Sequence, residues 1–336
     1  MSLKQIARET GVAMSTVSRA LNGHPHVDEH TRARVQEVAD RLGYRPSVAA
    51  RALRGSGTRT VGVVLPDMMN HFYARTVSML QDQLEDRGYG VVLAVTNNDA
   101  NRERAALDRL AAADVDGIII VPSIVRLPPK PVGIPIVELN RESSRDCDKV
   151  CYDEADGAYS LVTYLTELGH RSIAMVGGEA SYSTTRRRAA GYQRALNDVG
   201  VEMRPEWQQI RTHSREWGAE ALRRLMALPE PPTAVFASSS ELVLGLLVEA
   251  RRLGLQVPHD LSFVAFGDPE WYEVVAPEVT SYEQPINQTA SIAVQLLANR
   301  MSQGTQDAPT KVVVQGRVMM RNSAVQPPEK VRKRSQ

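Results

Sequence analysis

The first 45 residues carry three short amphipathic periods. Ile6 and Ala7 give the apolar side of one helix, and Gly11 ends it where a tight turn needs a residue tolerant of positive φ. Val17, Ala20 and Leu21 recur at i, i+3, i+4 and predict a second helix, whose other face carries Met14, Ser15, Ser18, Arg19 and Asn22. A third period, Val35, Val38, Ala39 and Leu42, follows Asp28, a residue suited to capping a helix start. Gly43 closes that helix and Pro46 blocks its continuation. Two short helices joined by a glycine turn, the second polar and basic outside, form the helix-turn-helix pattern, which fits the DNA major groove. An ordinary αα-hairpin in a helical bundle would show the same two periods.

Residues 47–54 have high helix propensity but span only two turns between Pro46 and Gly55. Helices that short are marginal alone. The segment reads either as a hinge that orders when its partner is present or as a plain linker helix. From Thr60 the rhythm changes. Apolar runs predict strands at 61–65, 90–95, 117–121, 134–139, 172–176, 208–211, 233–237 and 261–265. Helical patterns alternate with them at 72–87, 100–113, 156–168, 184–199, 216–227 and 240–253. That alternation predicts parallel sheets covered on both faces, arranged as two doubly wound α/β lobes. Ligands in such folds bind beyond the carboxyl ends of the strands, here in the cleft between the lobes. The tail 326–336 is polar and basic, without apolar period or leucine heptads, and is expected to be disordered.

The charge distribution sharpens this picture. The chain is nearly neutral at net +1, yet residues 1–60 hold ten Lys and Arg against five Asp and Glu. A head of +5 on a body of −4 puts a polyanion partner at the N-terminus. Cys147 and Cys151 stand without a second Cys or His pair, so they read as free thiols in a reducing compartment and not as a metal site. No signal-peptide core or membrane-length apolar run is present, and a cytoplasmic location is expected. No phosphate-binding Gly-rich loop follows 61–65, no nucleophile elbow surrounds a serine and no His/Cys cluster could hold a metal. Neither an enzyme nor a bound cofactor or metal is therefore expected.

The headpiece residues Ile6-Ala7, Gly11-Val12, Thr16-Val17-Ser18-Arg19, Leu21-Asn22, Val27, Thr31-Arg32, Val35 and Leu42-Gly43-Tyr44-Arg45-Pro46 resemble those of the LacI/GalR family of bacterial transcriptional repressors. The likeness continues in family order through Val61-Gly62, Pro66, Asn70, Phe72, Asp116 to Ile119, Pro135, Leu168 to Arg171, Arg188, Gly191-Tyr192, Pro258, Leu261-Ser262, Phe266 and Gln284-Pro285. The resemblance implies a homodimer on a pseudo-palindromic operator, with a small all-α headpiece (1–45), a hinge (46–59) and two lobes of periplasmic-binding-protein type (60–325). Its lobes are expected to take 60–155 with 284–308, and 156–283 with 309–325. By the same resemblance Met14 and Ser15 meet bases with Arg19 nearby. Thr16, Ser18 and Asn22 meet phosphate or hold the turn, and Leu53 wedges into the minor groove. Ala13 and Ser47 depart from the family's usual Ser and Asn.

Residue by residue, the resemblance assigns an effector cleft to Asn70, Phe72, Tyr73, Arg141, Arg188, His213, Ser239, Ser240, Asp268 and Trp271. Several of these have a plain structural alternative: Phe72 and Tyr73 could be core, and Arg188 could belong to a solvated Arg186-Arg187-Arg188 face. Ser239-Ser240 and Gly267 stand where relatives commonly carry Asn-Asp and Asp. A cleft that keeps its arginines and loses its acids is expected to prefer a carbohydrate-like anion, a sugar acid or sugar phosphate. Asp268 and Glu241 sit one residue from the vacated positions and could restore a neutral-sugar site. The function expected is a repressor controlled by that effector. A solute-binding protein without regulatory role, or an α/β enzyme, stands as the alternative.

Overall fold

The computed structural model describes residues 2–21, 24–44, 57–123, 133–303 and 308–328, and the chain divides into two compact units, Met1–Thr58 and Arg59–Gln336. In the first unit, helices α1 (Leu3–Thr10), α2 (Met14–Leu21) and α3 (Glu29–Arg41) close around Ile6, Val17, Ala20, Val35, Val38 and Ala39. Gly11 stops α1 at φ 70°, and its N–H donates to Ala7 O. The Asp28 carboxylate accepts from Thr31 N at 2.9 Å, and this bond holds it below its ordinary range. At the other end of α3 the N–H groups of Gly43 and Tyr44 donate to Asp40 O and Ala39 O, with Gly43 at φ 60°. That is a Schellman stop, with Tyr44 returning to the core. The expected helix at 47–54, with Leu53, and Asn22 lie outside the described residues, as do residues 329–336 of the tail.

The second unit is built on two six-stranded sheets. Strands β1 (Thr60–Leu65), β2 (Gly90–Val95), β3 (Gly117–Ile120), β4 (Ile136–Leu139), β5 (Asp148–Tyr152) and β11 (Lys311–Val314) pair in parallel, in the order β11-β5-β4-β3-β1-β2. Strands β6 (Ile173–Gly177), β7 (Gln208–Ile210), β8 (Ala234–Ala237), β9 (Ser262–Phe266), β10 (Thr280–Glu283) and β12 (Arg317–Met319) take the matching order β12-β10-β9-β8-β6-β7. Only the last pair in that sheet, β10 with β12, is antiparallel. The continuous apolar runs of β1, β3, β8 and β9 follow from burial on both sheet faces. On the first sheet α4 (His71–Glu85) and α10 (Ile286–Gln303) cover one face and α5 (Ala100–Ala112) the other. On the second, α6 (Glu154–Glu167) and α7 (Ser183–Asp198) cover one face, and α8 (Arg215–Met226) and α9 (Ser240–Arg252) the other.

The chain passes between lobes three times: from β5 to α6, from β10 to α10, and from β11 to β12. The passages are joined to one another. Asp153 N donates to Val314 O at 3.1 Å, and Gly316 N donates to the Tyr282 hydroxyl at 2.8 Å. A Cβ on Gly316 would fall 2.1 Å from Glu283 O, so only glycine allows that approach. This topology corrects the expected boundary. Residues 309–325 do not all belong to the second lobe, because β11 completes the first sheet beside β5. The sequence reading also missed β5, β10, β11 and β12. Strand β11 is a partly exposed edge and β12 has only three residues. Strand β10, Thr-Ser-Tyr-Glu, is buried yet polar: its Thr280 and Ser281 are satisfied by Ser323, Arg321 and Asp268, a solution no periodicity reveals.

Candidate functional site

In the headpiece, α2 turns Val17 and Ala20 inward and leaves Met14 (51% exposed), Ser15 and Arg19 outside. Thr16 and Ser18 sit half-buried at its margin. Thr16 N and Val17 N both donate to Ala13 O, which fixes the start of the helix, and Arg41 pairs with Glu9 at 2.6 Å to tie α3 to α1. The result is a short helix whose outer face offers a thioether, hydroxyls and a guanidinium, groups of the kinds able to meet base edges and phosphates. The structure brings Met14, Ser15, Thr16, Ser18 and Arg19 onto one helix.

In the second unit the strand ends face each other across the interlobe cleft. The first lobe supplies Asp67 and Asn70 after β1, Asn98 after β2, and Asn140-Arg141 after β4; the second supplies His213 after β7, Ser239-Ser240 after β8, Gly267 after β9 and Gln284 after β10. Asn70 caps α4, its side chain accepting from Phe72 N at 2.9 Å, and so sets Phe72 and Tyr73 at the mouth of the helix. Arg141 is 5% exposed. It donates to Asn98 Oδ1 at 2.7 Å and lies over the Tyr182 ring at 3.8 Å, with Tyr73 at 6.0 Å. Arg188, 7% exposed, pairs with Glu154 at 2.5 Å, donates to Ser238 O and covers the Phe266 ring at 3.8 Å. Burial pushes Glu154 above the ordinary carboxylate range while Arg188 pulls against it. His213 stacks on Tyr182 with planes 6° apart, and the Gly178 backbone lies so close that a Cβ there would overlap the imidazole. Burial, then Arg141 and Arg188, push the His213 pKa down to about 3, so it is neutral near pH 7.

The cleft has two compartments. The one around Arg141, Arg188 and His213 holds about 80 Å³. A second of about 330 Å³ opens beside it, lined by His71, Phe72, Arg75, Met79 and the β10–α10 passage. Among the described residues no group of three or more His, Cys, Asp or Glu could hold a metal ion, and no helix is long and apolar enough to cross a membrane. Cys147 and Cys151 are buried free thiols, and burial pushes Cys147 up to about 12.

Comparison with known proteins agrees with this architecture. Residues 2–47 match the bacterial regulatory proteins of the lacI family, and residues 162–324 match the periplasmic binding protein-like domain. Over 92% of its length the chain is 33% identical to catabolite control protein A of Priestia megaterium, covering 95% of that protein. The chain belongs to the lacI family of bacterial regulatory proteins. It is a DNA-binding transcriptional regulator and not an enzyme. Among solved structures, the complex of the transcriptional regulator CelR with cellobiose superimposes with TM-score 0.73 at 29% identity, over 96% of this chain and 99% of that one. The lac repressor dimer bound to operator and the anti-inducer ONPF superimposes with TM-score 0.85 at 22% identity, over 97% and 99%, a likeness of fold.

In this lacI-family cleft, Asn70, Phe72, Tyr73, Arg141, Arg188, His213, Ser239 and Ser240 line the smaller compartment. Asp268 does not. It borders the larger one, and Arg321 holds both its oxygens, at 2.6 and 3.1 Å, with Ser281 donating as well. Trp271 lines neither: it packs edge-on against Tyr272 at 4.5 Å, beside the core of the second lobe. The anion argument also needs correction at Arg188, whose carboxylate partner is already present in Glu154. Sequence reasoning missed Asn98, Asn140 and Gln284. Asn98 and Asn140 both adopt left-handed backbone, at φ 58° and 63°, so an Asn just past a strand was the signal available.

Proposed function

We propose that this lacI-family regulator is a cytoplasmic repressor that binds a pseudo-palindromic operator as a homodimer and is controlled by a small anionic, carbohydrate-like effector. The observation that carries the effector assignment is Arg141: buried, facing the smaller compartment, and without an ion pair among the described residues. A buried guanidinium favours an oxyanion partner, carboxylate or phosphate. The amide and hydroxyl groups of Asn70, Asn140 and Ser239, with the Phe72 and Tyr73 rings, suit a polyol carrying that anion. A similar regulator, CelR, solved in complex with cellobiose supports a carbohydrate class. The exposed outer face of α2 supports major-groove readout, and the edge strand β2, with Val92, Leu93 and Val95 partly exposed, supports pairing with a second copy.

Two measurements test this. In a mobility shift on upstream DNA, deletion of residues 1–58 should abolish binding, and Arg19→Ala should lower the salt slope by about 1 if it meets a phosphate. Retained operator affinity in the truncated chain would overturn the DNA-binding role of the headpiece. In a thermal-shift screen, sugar acids or sugar phosphates should stabilise the full chain, and Arg141→Ala should remove the shift. Stabilisation by neutral sugars alone would overturn the anionic effector.

A further inference from the structure

The two compartments of the cleft differ in size and chemistry, and together they constrain the shape of the effector. The compartment at Arg141 is about 80 Å³, well below the roughly 300 Å³ at which ligand pockets begin. It takes a head group, not a whole ligand. The neighbouring compartment is about 330 Å³ and lined by apolar Phe72, Met79 and Ile286, with Arg75, Gln284 and Asn287 as polar points. Phe72, Ser240, Gly267 and Gln284 border both, so the two spaces adjoin. Gly267 stands at the join. Its backbone is at φ 87°, and a Cβ built there has a single neighbour within 4 Å, Gln284 Oε1 at 4.0 Å. The missing side chain leaves the passage open. Gln284 is 8% exposed, and its amide nitrogen is buried without a hydrogen-bond partner among the described residues, a donor placed where the two spaces meet.

We infer that the effector is a two-unit polyol. One unit carries a single oxyanion at Arg141, and the second passes Gly267, accepts a hydrogen bond from Gln284 and fills the larger compartment. This rests on the effector assignment above and adds its length. Carboxylate and phosphate are equivalent at Arg141, so the test runs in two arms on the full chain by titration calorimetry. One arm compares gluconate with cellobionate and lactobionate; the other compares glucose 6-phosphate with trehalose 6-phosphate. Cellobiose serves as the neutral two-unit probe. In at least one arm the two-unit probe should bind about tenfold tighter or more, a usual increment for one well-packed added group. Asn287→Trp, at an exposed position in the first turn of α10 where the new ring would fill the larger compartment, should bring the ratio of two-unit to one-unit affinity to about one. One-unit binding with no gain for two units in either arm overturns the inference and leaves the anionic effector standing. A gain that survives Asn287→Trp overturns it too, because the second unit then lies elsewhere. Cellobiose binding as tightly as cellobionate, or no binding by any probe, overturns the effector assignment and this inference with it.

Discussion

The two arginines of the cleft are buried almost equally, at 5% and 7% exposure, and are held in opposite ways. On the second-lobe wall, Arg188 is neutralised inside the protein by Glu154, with Ser238 O taking a further N–H and Phe266 covering its face. On the first-lobe wall, Arg141 has an amide oxygen and two aromatic faces, with no carboxylate paired to it among the described residues. Taking a charge out of water costs several kcal/mol unless a partner is provided. At Arg188 the fold provides it. At Arg141 the aromatic faces and Asn98 offset only part of that cost, and an anionic ligand would supply the rest. Two residues of one type and similar burial are therefore held differently: one is ion-paired within its lobe, and the other, in the proposed function, would meet the effector's anion.

The largest effect expected from breaking this contrast is at Glu154. Glu154→Gln leaves the Arg188 guanidinium buried without its counter-charge, and removing one partner of such a pair costs about 3–5 kcal/mol. Denaturant unfolding of the purified chain measures it. A loss under about 1 kcal/mol would mean that Arg188 is not neutralised through Glu154, and the two arginines would then be equivalent.

Arg141→Ala should invert that pattern. Losing one charged hydrogen bond is offset by relief of an unpaired buried charge, so stability should change by no more than about 1 kcal/mol. Affinity for an anionic effector should fall by about 1.5–3 kcal/mol, roughly 10- to 100-fold. The same denaturant series and a ligand titration check both halves. A large stability loss with unchanged affinity would reverse the roles given to the two residues.

Much of this was legible in the sequence because it is written in local patterns. Gly11, Asp28 and Gly43 set the headpiece through φ, capping and a Schellman stop, and each acts within a few residues of itself. The alternation of apolar runs and helical periods carried the two lobes. What stayed hidden depends on distant partners. Glu154 and Arg188 are separated by 34 residues, and nothing near Arg188 tells an ion-paired arginine from one without a carboxylate partner. Asp268 has the same character: beside Gly267 it looked able to replace a missing carboxylate, yet Arg321, far along the chain, fixes it. Strand β11 joins the first sheet by pairing with residues more than 150 positions earlier, which no window along the chain can show.

The finest distinction between the two walls lies at His213, which the second lobe carries into the cleft. Arg141 and Arg188 face it, Tyr182 stacks on it, and Glu179 Oε2 is 4.0 Å from Nδ1. That carboxylate is too distant and too exposed to outweigh burial and two guanidinium charges, so the imidazole stays neutral in the folded chain down to a pKa of about 3. In the unfolded chain it takes up a proton near its ordinary 6.5. The unfolded state therefore binds more protons between these two values. The stability that His213 contributes is complete above about pH 6.5 and is lost as pH falls toward 3. At about pH 5.5 the loss from this one residue is on the order of 1 kcal/mol relative to pH 8. His170 is pushed the same way by burial, so the wild-type curve carries both residues. His213→Gln, which cannot titrate, isolates one of them: its stability should fall less steeply than wild type between pH 7 and 5, and an anionic ligand held near His213 should narrow the difference by screening the two arginines. Parallel curves for the two proteins would mean that neither burial nor the charges of Arg141 and Arg188 hold the imidazole neutral.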